Sequence, residues 1–188
     1  MDNKLIITGF ADEIAPELSL QIETLKQLGI GYIEMRGVNG RPLVGHSLDE
    51  VWEIKRTLDE NGIKLSSVGS PIGKIQITDP FEDHFELFKR TVAIAKILNT
   101  RYIRMFSFFI PEGADPETFE PEVFARIEKF VRYAQEQDIV LLHENEKDIY
   151  GDNAPRCLKL MERFYGENFK AVFDFANFIQ VGQPTLEA

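Results

Sequence analysis

Cysteine and basic residues are scarce in this sequence of 188 residues. The lone Cys157 excludes an internal disulfide, and its place on an apolar helical row is typical of a small buried side chain. Lys and Arg number 21 against 31 Asp and Glu, which gives a formal net charge of -10. Because a surface of this sign repels polyanions, no nucleic-acid partner is expected.

Long hydrophobic runs are also missing. No segment approaches the roughly 18 consecutive apolar residues of a membrane-spanning helix. The apolar run in the N-terminal stretch "MDNKLIITGF" is too short for a signal peptide. The hydrophobic content of 44% is that of an ordinary globular protein. We therefore expect a cytoplasmic protein, without membrane contact, that forms a single domain over residues 1–188.

Short β-rich runs alternate with segments of helical period along the whole chain. The predicted strands cover residues 4–9, 31–36, 63–69, 101–108, 139–144 and 170–175. Between them, apolar residues recur at steps of three or four, as in Phe81, Phe85 and Phe88, which we interpret as core positions. Ser47 with Glu50 predicts a capping box, and Asp79-Pro80 and Asp115-Pro116 predict further helix starts.

Regular βα repetition of this kind predicts an α/β protein with a parallel sheet. The chain has no Gly-x-Gly-x-x-Gly after its first strand, which disfavours a dinucleotide-binding open sheet and favours a parallel (β/α)8 TIM-barrel type of fold. Only about six βα units are present. We therefore expect an incomplete barrel that lacks C-terminal units, and its unpaired strand edges predict a homo-oligomer.

Polar residues collect where the predicted strands end, whereas the strand beginnings carry mainly Gly, Ile, Lys and Asn. In parallel α/β folds the carboxyl ends of the strands carry the ligand site, so these residues are the candidates. The candidate substrate contacts are Glu34, Arg36, Ser70, Lys74, Arg104, Asn145, Lys147 and Asn177. The three basic side chains Arg36, Lys74 and Arg104 suit either a substrate phosphate or carboxylate or an internal salt bridge, and Glu34 is a partner for such a cation rather than a catalyst.

Glu144 and Asp174 lie at the ends of neighbouring predicted strands, at the same level. Two carboxylates in a partly desolvated site repel each other unless a proton or a cation lies between them, so the pair predicts a divalent metal site. In the alternative interpretation, Glu144 accepts backbone N–H groups or pairs with Lys147, while Asp174 caps the following loop. Because side chains alternate between the two faces of a strand, His143 points away from the face of Glu144 and is expected to be structural.

Four segments together resemble a known family. They are "GFADEI" and "IEMRGV" at the first two strands, and "HENEKDIYGD" and "FDFANF" at the last two. They are similar to the xylose isomerase-like TIM barrels, in particular to the sugar isomerase and epimerase group that includes tagatose and psicose epimerases, hydroxypyruvate isomerase and inosose dehydratase. The resemblance covers essentially the whole chain and implies a small-molecule sugar or sugar phosphate as the substrate.

The resemblance also implies a metal and a mechanism. In that family one divalent ion, Mn, Mg, Co or Zn, is held by Glu, Asp, His and Glu at the ends of strands five to eight, and Glu144 and Asp174 match the first two. The others would follow Ala188, so weak or absent metal binding is expected of this chain. Glu144 would also be a catalytic acid/base that moves a proton next to a carbonyl, through a metal-stabilised enediolate. The family often has His where this chain has Asn177, which suits binding rather than proton transfer.

Two alternatives remain open at this stage. One is a metal-free or catalytically inactive binding protein of the same fold. The other is an enzyme like endonuclease IV, which needs many His ligands and a basic groove, whereas this chain has three His and a net negative charge.

Overall fold

The computed structural model describes residues 5–186 and 188, in which short strands alternate with longer helices. The strands are β1 (Tyr32–Met35), β2 (Gly37–Val38), β3 (Arg41–Pro42), β4 (Lys64–Gly69), β5 (Tyr102–Met105), β6 (Val140–Glu144) and β7 (Phe169–Val172). The helices are α1 (Leu18–Gln27), α2 (Leu48–Glu60), α3 (Glu82–Ile97), α4 (Glu120–Gln137), α5 (Ala154–Phe164) and α6 (Phe175–Gln180). No helix in this part of the chain has the length and apolar character needed to cross a bilayer.

The chain divides into two compact units. The first unit comprises Met1–Ser70 and Arg90–Tyr102, and the second comprises Pro71–Lys89 and Ile103–Ala188. The single domain expected over residues 1–188 stays a prediction.

In the first unit β1 and β4 pair in parallel, with Ile33 opposite Leu65. Gly29 and Gly62 follow α1 and α2 with φ of 69° each, a left-handed conformation that ends both helices. The capping box also forms, because Ser47 Oγ accepts the Glu50 N–H at 3.2 Å and Glu50 Oε2 accepts the Ser47 N–H at 2.7 Å. The predicted capping box is thus confirmed. It depends only on residues a few positions apart.

The first unit departs from the sequence prediction in two places. Residues 5–9 of the first predicted strand form no strand, and Lys4 lies outside the described residues. Ile6 and Ile7 are largely exposed, so little apolar burial holds this segment. Its contacts include a parallel bridge from Phe10 to Glu34, the Glu34 N–H donated to Gly9 O at 3.0 Å, and a hydrogen bond between the Thr8 and Ser66 hydroxyls. The β2–β3 hairpin was missed, although Asn39-Gly40 at its turn, with both φ values positive, is a strong hairpin signal.

In the second unit β5, β6 and β7 lie side by side in that order. β6 and β7 are parallel, and Glu144 at the end of β6 is level with Val172 at the end of β7. This register brings the residues that follow the two strands to the same edge of the sheet.

Aromatic side chains fill the core of the second unit, as the helical stripe predicted. Phe130 on α4 lies 4.8 Å from Phe88 and 5.2 Å from Phe81, measured between ring centroids, and stacks on Phe108 at 6.1 Å. Phe88, Phe108 and Phe130 are fully buried. Their contacts hold α3 and α4 against the segment that follows β5.

Three element boundaries differ from the predictions. β5 ends at Met105, before the predicted residue 108, because the next N–H groups turn to the loop that precedes α3: Phe106 donates to Ile72 O at 2.8 Å and Phe108 to Gly73 O at 2.9 Å. β7 ends at Val172, before the predicted residue 175. The helix predicted to start at Asp79-Pro80 begins only at Glu82.

Candidate active site

Glu144 lies at the carboxyl end of β6, where its carboxylate is almost completely buried. Its Oε2 accepts a hydrogen bond from Arg104 Nη1 at 3.1 Å, and Arg104 is equally buried. Burial raises the pKa of Glu144 above its usual value, Arg104 lowers it, and the charges of Asp174 and Glu146 raise it further. The net effect is a carboxylate that holds a proton more readily than one in water.

Asp174 follows β7 and caps α6, where its Oδ1 accepts the Asn177 N–H at 2.8 Å. Its negative charge contributes to the raised pKa of Glu144. Glu144 and Asp174 thus lie at the same edge of the sheet, and their joint role in a site stays a prediction. The cap suggested in the alternative interpretation of Asp174 also forms, whereas Glu144 pairs with Arg104 rather than with Lys147.

Asn145 ties the ends of β6 and β7 together. Its Nδ2 donates to Asp174 O at 2.9 Å, and its Oδ1 accepts the Asp174 N–H at 2.8 Å. Asn177 Nδ2 in turn donates to Asn145 O at 2.9 Å. These bonds fix the backbone beside Glu144, so the two asparagines position the site, and their contact with substrate stays a prediction.

Lys74 lies over the same edge. Its Nζ is 2.7 Å from Glu146 Oε2 and 4.2 Å from the centroid of the Phe106 ring. The Arg104 guanidinium lies 4.9 Å from that ring. Two cations thus flank one aromatic ring, each paired with a carboxylate, which is one of the two uses predicted for these basic residues. Sequence reasoning did not select Glu146, although it lies in the polar stretch after β6.

The loop that carries Lys74 is held by a buried histidine. His84 Nε2 accepts the Gly73 N–H at 2.7 Å, which requires a neutral ring. Burial, together with the charge of Arg126, lowers the pKa of His84 to about 4, so the ring is neutral at physiological pH. Sequence analysis gave His84 no role, since nothing local marks a helical histidine as the acceptor of a distant backbone group.

His143, next to Glu144, is buried as expected of a structural residue. Its ring packs on Phe169 at 6.2 Å between centroids, and burial lowers its pKa to about 4. Its Nε2 has no hydrogen-bond partner within the described part of the chain. The period of two along β6 therefore places His143 and the candidate carboxylate Glu144 on opposite faces of the strand.

Three of the predicted contacts, Glu34, Arg36 and Ser70, belong to the first unit. Arg36 Nε is 2.9 Å from Asp12 Oδ2, and Arg36 Nη2 is 3.2 Å from Glu13 Oε1. The pKa of Arg36 is raised, mainly by the hydrogen bond to Asp12. Glu34 is half-buried and Ser70 is fully buried. Their contact with a substrate remains a prediction.

Glu144 and Asp174 supply two hard oxygen donors of the kind that Mg²⁺ and Mn²⁺ prefer. Within residues 5–186 and 188, no group of three or more His, Cys, Asp or Glu side chains is arranged to hold a metal. The donor chemistry therefore suits a divalent cation, but this part of the chain offers only part of a ligand set.

The family described as xylose isomerase-like TIM barrel matches residues 22–188. Solved structures share the fold. The probable 3-DHS dehydratase AsbF of Bacillus anthracis is similar with a TM-score of 0.79 and 16% identity, over 97% of this chain and 68% of that one. A xylose isomerase-like TIM barrel protein from Mycobacterium smegmatis, solved with magnesium, has a TM-score of 0.73 and 14% identity over 95% and 67% of the two chains.

A D-psicose 3-epimerase solved in the presence of D-fructose is also similar, with a TM-score of 0.69 and 16% identity over 92% of this chain and 65% of that one. The chain thus spans about two thirds of the length of these structures. Among curated proteins, none matches the sequence significantly.

Proposed function

This chain belongs to the xylose isomerase-like TIM barrel family, and we propose that the protein is a divalent-metal-dependent isomerase or epimerase of a sugar, sugar phosphate or polyol-derived ketose. The observation that carries this proposal is the buried Glu144, whose pKa is raised and which interacts electrostatically with Asp174 at the carboxyl ends of parallel strands. The D-psicose 3-epimerase among its structural neighbours supports a sugar-modifying activity.

Glu144 is the catalytic acid/base in this proposal. A carboxylate with a raised pKa removes a proton from carbon more effectively at neutral pH than an ordinary one, because its basicity lies closer to the working pH. Arg104 holds Oε2 of Glu144 and fixes the orientation of the carboxyl group. The proton would move between Glu144 and the carbon next to a substrate carbonyl.

Glu144 and Asp174 would also hold the divalent cation. When bound, such an ion supplies positive charge to the oxygens next to the reacting carbon. Asn145 and Asn177 keep Asp174 in place through the bonds described above. Arg36, Lys74 and Arg104 remain candidates for an anionic group of the substrate, in competition with the carboxylates that they contact.

A Mn²⁺ titration of the 188-residue chain, followed by water-proton relaxation, tests the metal site. We expect weak but measurable binding that Asp174→Asn and Glu144→Gln each reduce at least about tenfold. Glu86→Gln, on the surface of α3, is the matched control and should leave binding unchanged. Binding that persists unchanged in both site variants would contradict the proposed ligands.

A metal-free binding protein of the same fold is the second candidate. The pairing of Arg104 with Glu144 favours it, because this cation already balances the buried carboxylate. The same titration separates the two candidates, since a binding protein of this kind would show no Mn²⁺ affinity above that of the Glu144→Gln variant. No observation on the site favours the endonuclease IV-like enzyme.

Two further parts of the proposal come from composition and surface. We propose a cytoplasmic protein that acts on a small molecule, without a nucleic-acid partner. We also propose a homo-oligomer, since Phe173, Phe175 and Ile179, at and after the end of β7, expose much of their apolar surface.

A further inference from the structure

A cavity lies within the second unit, at the carboxyl ends of β5 and β6. Its volume is about 630 Å³, which falls in the range of roughly 300–1,000 Å³ typical of small-molecule sites. The loop after β5, residues 109–116, and the loop after β6, residues 147–152, form most of its wall. Both loops follow the carboxyl ends of strands, at the end of the fold that carries Glu144.

Backbone hydrogen bonds join the segments that line this cavity. Ile110 N donates to Asp148 O at 3.0 Å, and Tyr150 N donates to Phe108 O at 3.0 Å. On the other side Ile77 N donates to Phe109 O at 2.9 Å. Because these bonds hold three segments together, the backbone around the cavity is ordered by the protein itself, which lowers the ordering cost of binding.

Two residues that line the cavity are close in sequence to the groups beside Glu144. Gln76, on its rim, is two residues from Lys74, and Lys147 directly follows Glu146. Lys74 and Glu146 contact each other at 2.7 Å. The Lys74–Glu146 pair is thus one or two residues along the chain from two residues that line the cavity.

The lining excludes an anion and suits hydroxyl groups. Lys147 is its only cation, against Glu112, Asp148 and Asp152, of which Asp152 pairs with Arg156. Carboxylates accept hydrogen bonds from hydroxyls, whereas the Lys147 ammonium and the Gln76 amide donate to them. A phosphate or carboxylate would meet net negative charge, while a neutral group with several hydroxyls finds both donors and acceptors.

We propose that this cavity binds the second sugar ring of a disaccharide or glycoside whose first ring lies at Glu144. The inference rests on the proposed function and extends it, since it makes the substrate larger than a single sugar. It assigns Gln76, Lys147 and Asp148 as contacts of the distal ring.

Amide NMR of the ¹⁵N-labelled chain tests this proposal, with D-fructose, D-fructose 6-phosphate and the fructose-containing disaccharides sucrose, lactulose and isomaltulose as probes. The Gly113 and Asp148 amides report on the cavity, and the Asn145 and Asp174 amides report on the Glu144 site. We expect at least one disaccharide to shift the cavity amides saturably, with a Kd at least about tenfold below that of D-fructose. D-fructose 6-phosphate should bind the cavity no better than D-fructose.

Two variants provide the matched comparison. Ala114→Trp places a large side chain into the cavity and should abolish the disaccharide shifts of the cavity amides, whereas Thr118→Trp, which does not line the cavity, should leave them unchanged. Cavity amides that respond to none of the disaccharides, or that respond equally in Ala114→Trp, overturn the proposal. The proposed function fails separately, if Mn²⁺ does not broaden the Asn145 and Asp174 amides.

Discussion

At the scale of single residues, burial decides which side chains have unusual chemistry. Glu144 and His84 are both ionisable and both buried, and burial is the largest cause of each pKa shift. Burial disfavours the charged form of any group, so it raises the pKa of an acid and lowers the pKa of a base. The two shifts therefore have opposite directions. Glu144 keeps a cation beside it, whereas His84 keeps an N–H donor.

The titration of His84 makes a pH prediction. Its pKa is 6.5 when unfolded and about 4 when folded, so the unfolded chain takes up the proton first as the pH falls. The stabilising effect of the neutral ring is complete above pH 6.5 and is lost toward pH 4, up to roughly 3 kcal/mol. In His84→Gln the amide oxygen still accepts the Gly73 N–H but does not titrate. As the pH falls, the unfolding free energy of this variant should therefore decrease less than that of the parent.

Urea unfolding at several pH values between 7 and 4 measures this difference. His143 titrates in the same direction in both proteins, so the comparison isolates His84. An equal loss of unfolding free energy in the parent and in His84→Gln would contradict the role assigned to this ring.

At the scale of elements, the loop between β4 and α3 has the tightest steric requirement near the site. Gly73 has a φ of 87°, and a Cβ built on it would lie 2.0 Å from Phe106 O. The backbone bonds from residues 106–109 hold the loop in this position. Only glycine fits there, and Lys74 owes its place over the Phe106 ring to this close approach.

Replacing Gly73 tests that requirement. Gly73→Ala should destabilise the protein by several kcal/mol, because steric overlap with backbone adds to the cost of the left-handed conformation. Gly62→Ala is the matched control, since its φ is 69° and a Cβ there meets nothing within 4 Å. It should cost only about 1 kcal/mol by thermal or urea unfolding. Equal effects of the two substitutions would show that the loop moves away freely.

At the scale of the whole molecule, exposed apolar surface predicts self-association. Phe175 is 67% exposed and Ile179 is 64% exposed, and both lie on α6. Phe173 packs against Phe175 at 4.8 Å between ring centroids, which makes the apolar surface contiguous. Contiguous apolar surface of this kind is typical of an interface.

Sedimentation velocity at micromolar concentration measures this association. The parent chain should sediment as an oligomer, and Phe175→Ser with Ile179→Ser should shift it toward monomer. Leu158→Ser on α5, where the side chain is 57% exposed, is the control and should leave the distribution unchanged. A parent chain that is monomeric throughout would show that this surface is not an interface.

Much of this protein was determined by its sequence alone. The alternation of apolar runs predicted the parallel α/β class, and the resemblance of four short segments predicted the family; both are confirmed. The polar ends of the last two strands singled out Glu144 and Asp174, whose role stays a prediction. The capping box at Ser47, which starts a helix, and the glycines after α1 and α2, which end helices, are also visible in the sequence, because such signals depend on neighbouring residues.

Only the tertiary structure decided what these side chains contact. Arg104 reaches Glu144 from another strand, Lys74 pairs with Glu146, and His84 accepts the Gly73 N–H, in each case across a distance in sequence that no local pattern records. The failure of residues 5–9 to form a strand has the same origin. A strand needs a partner and a covered face, and both come from the folded chain rather than from the segment itself.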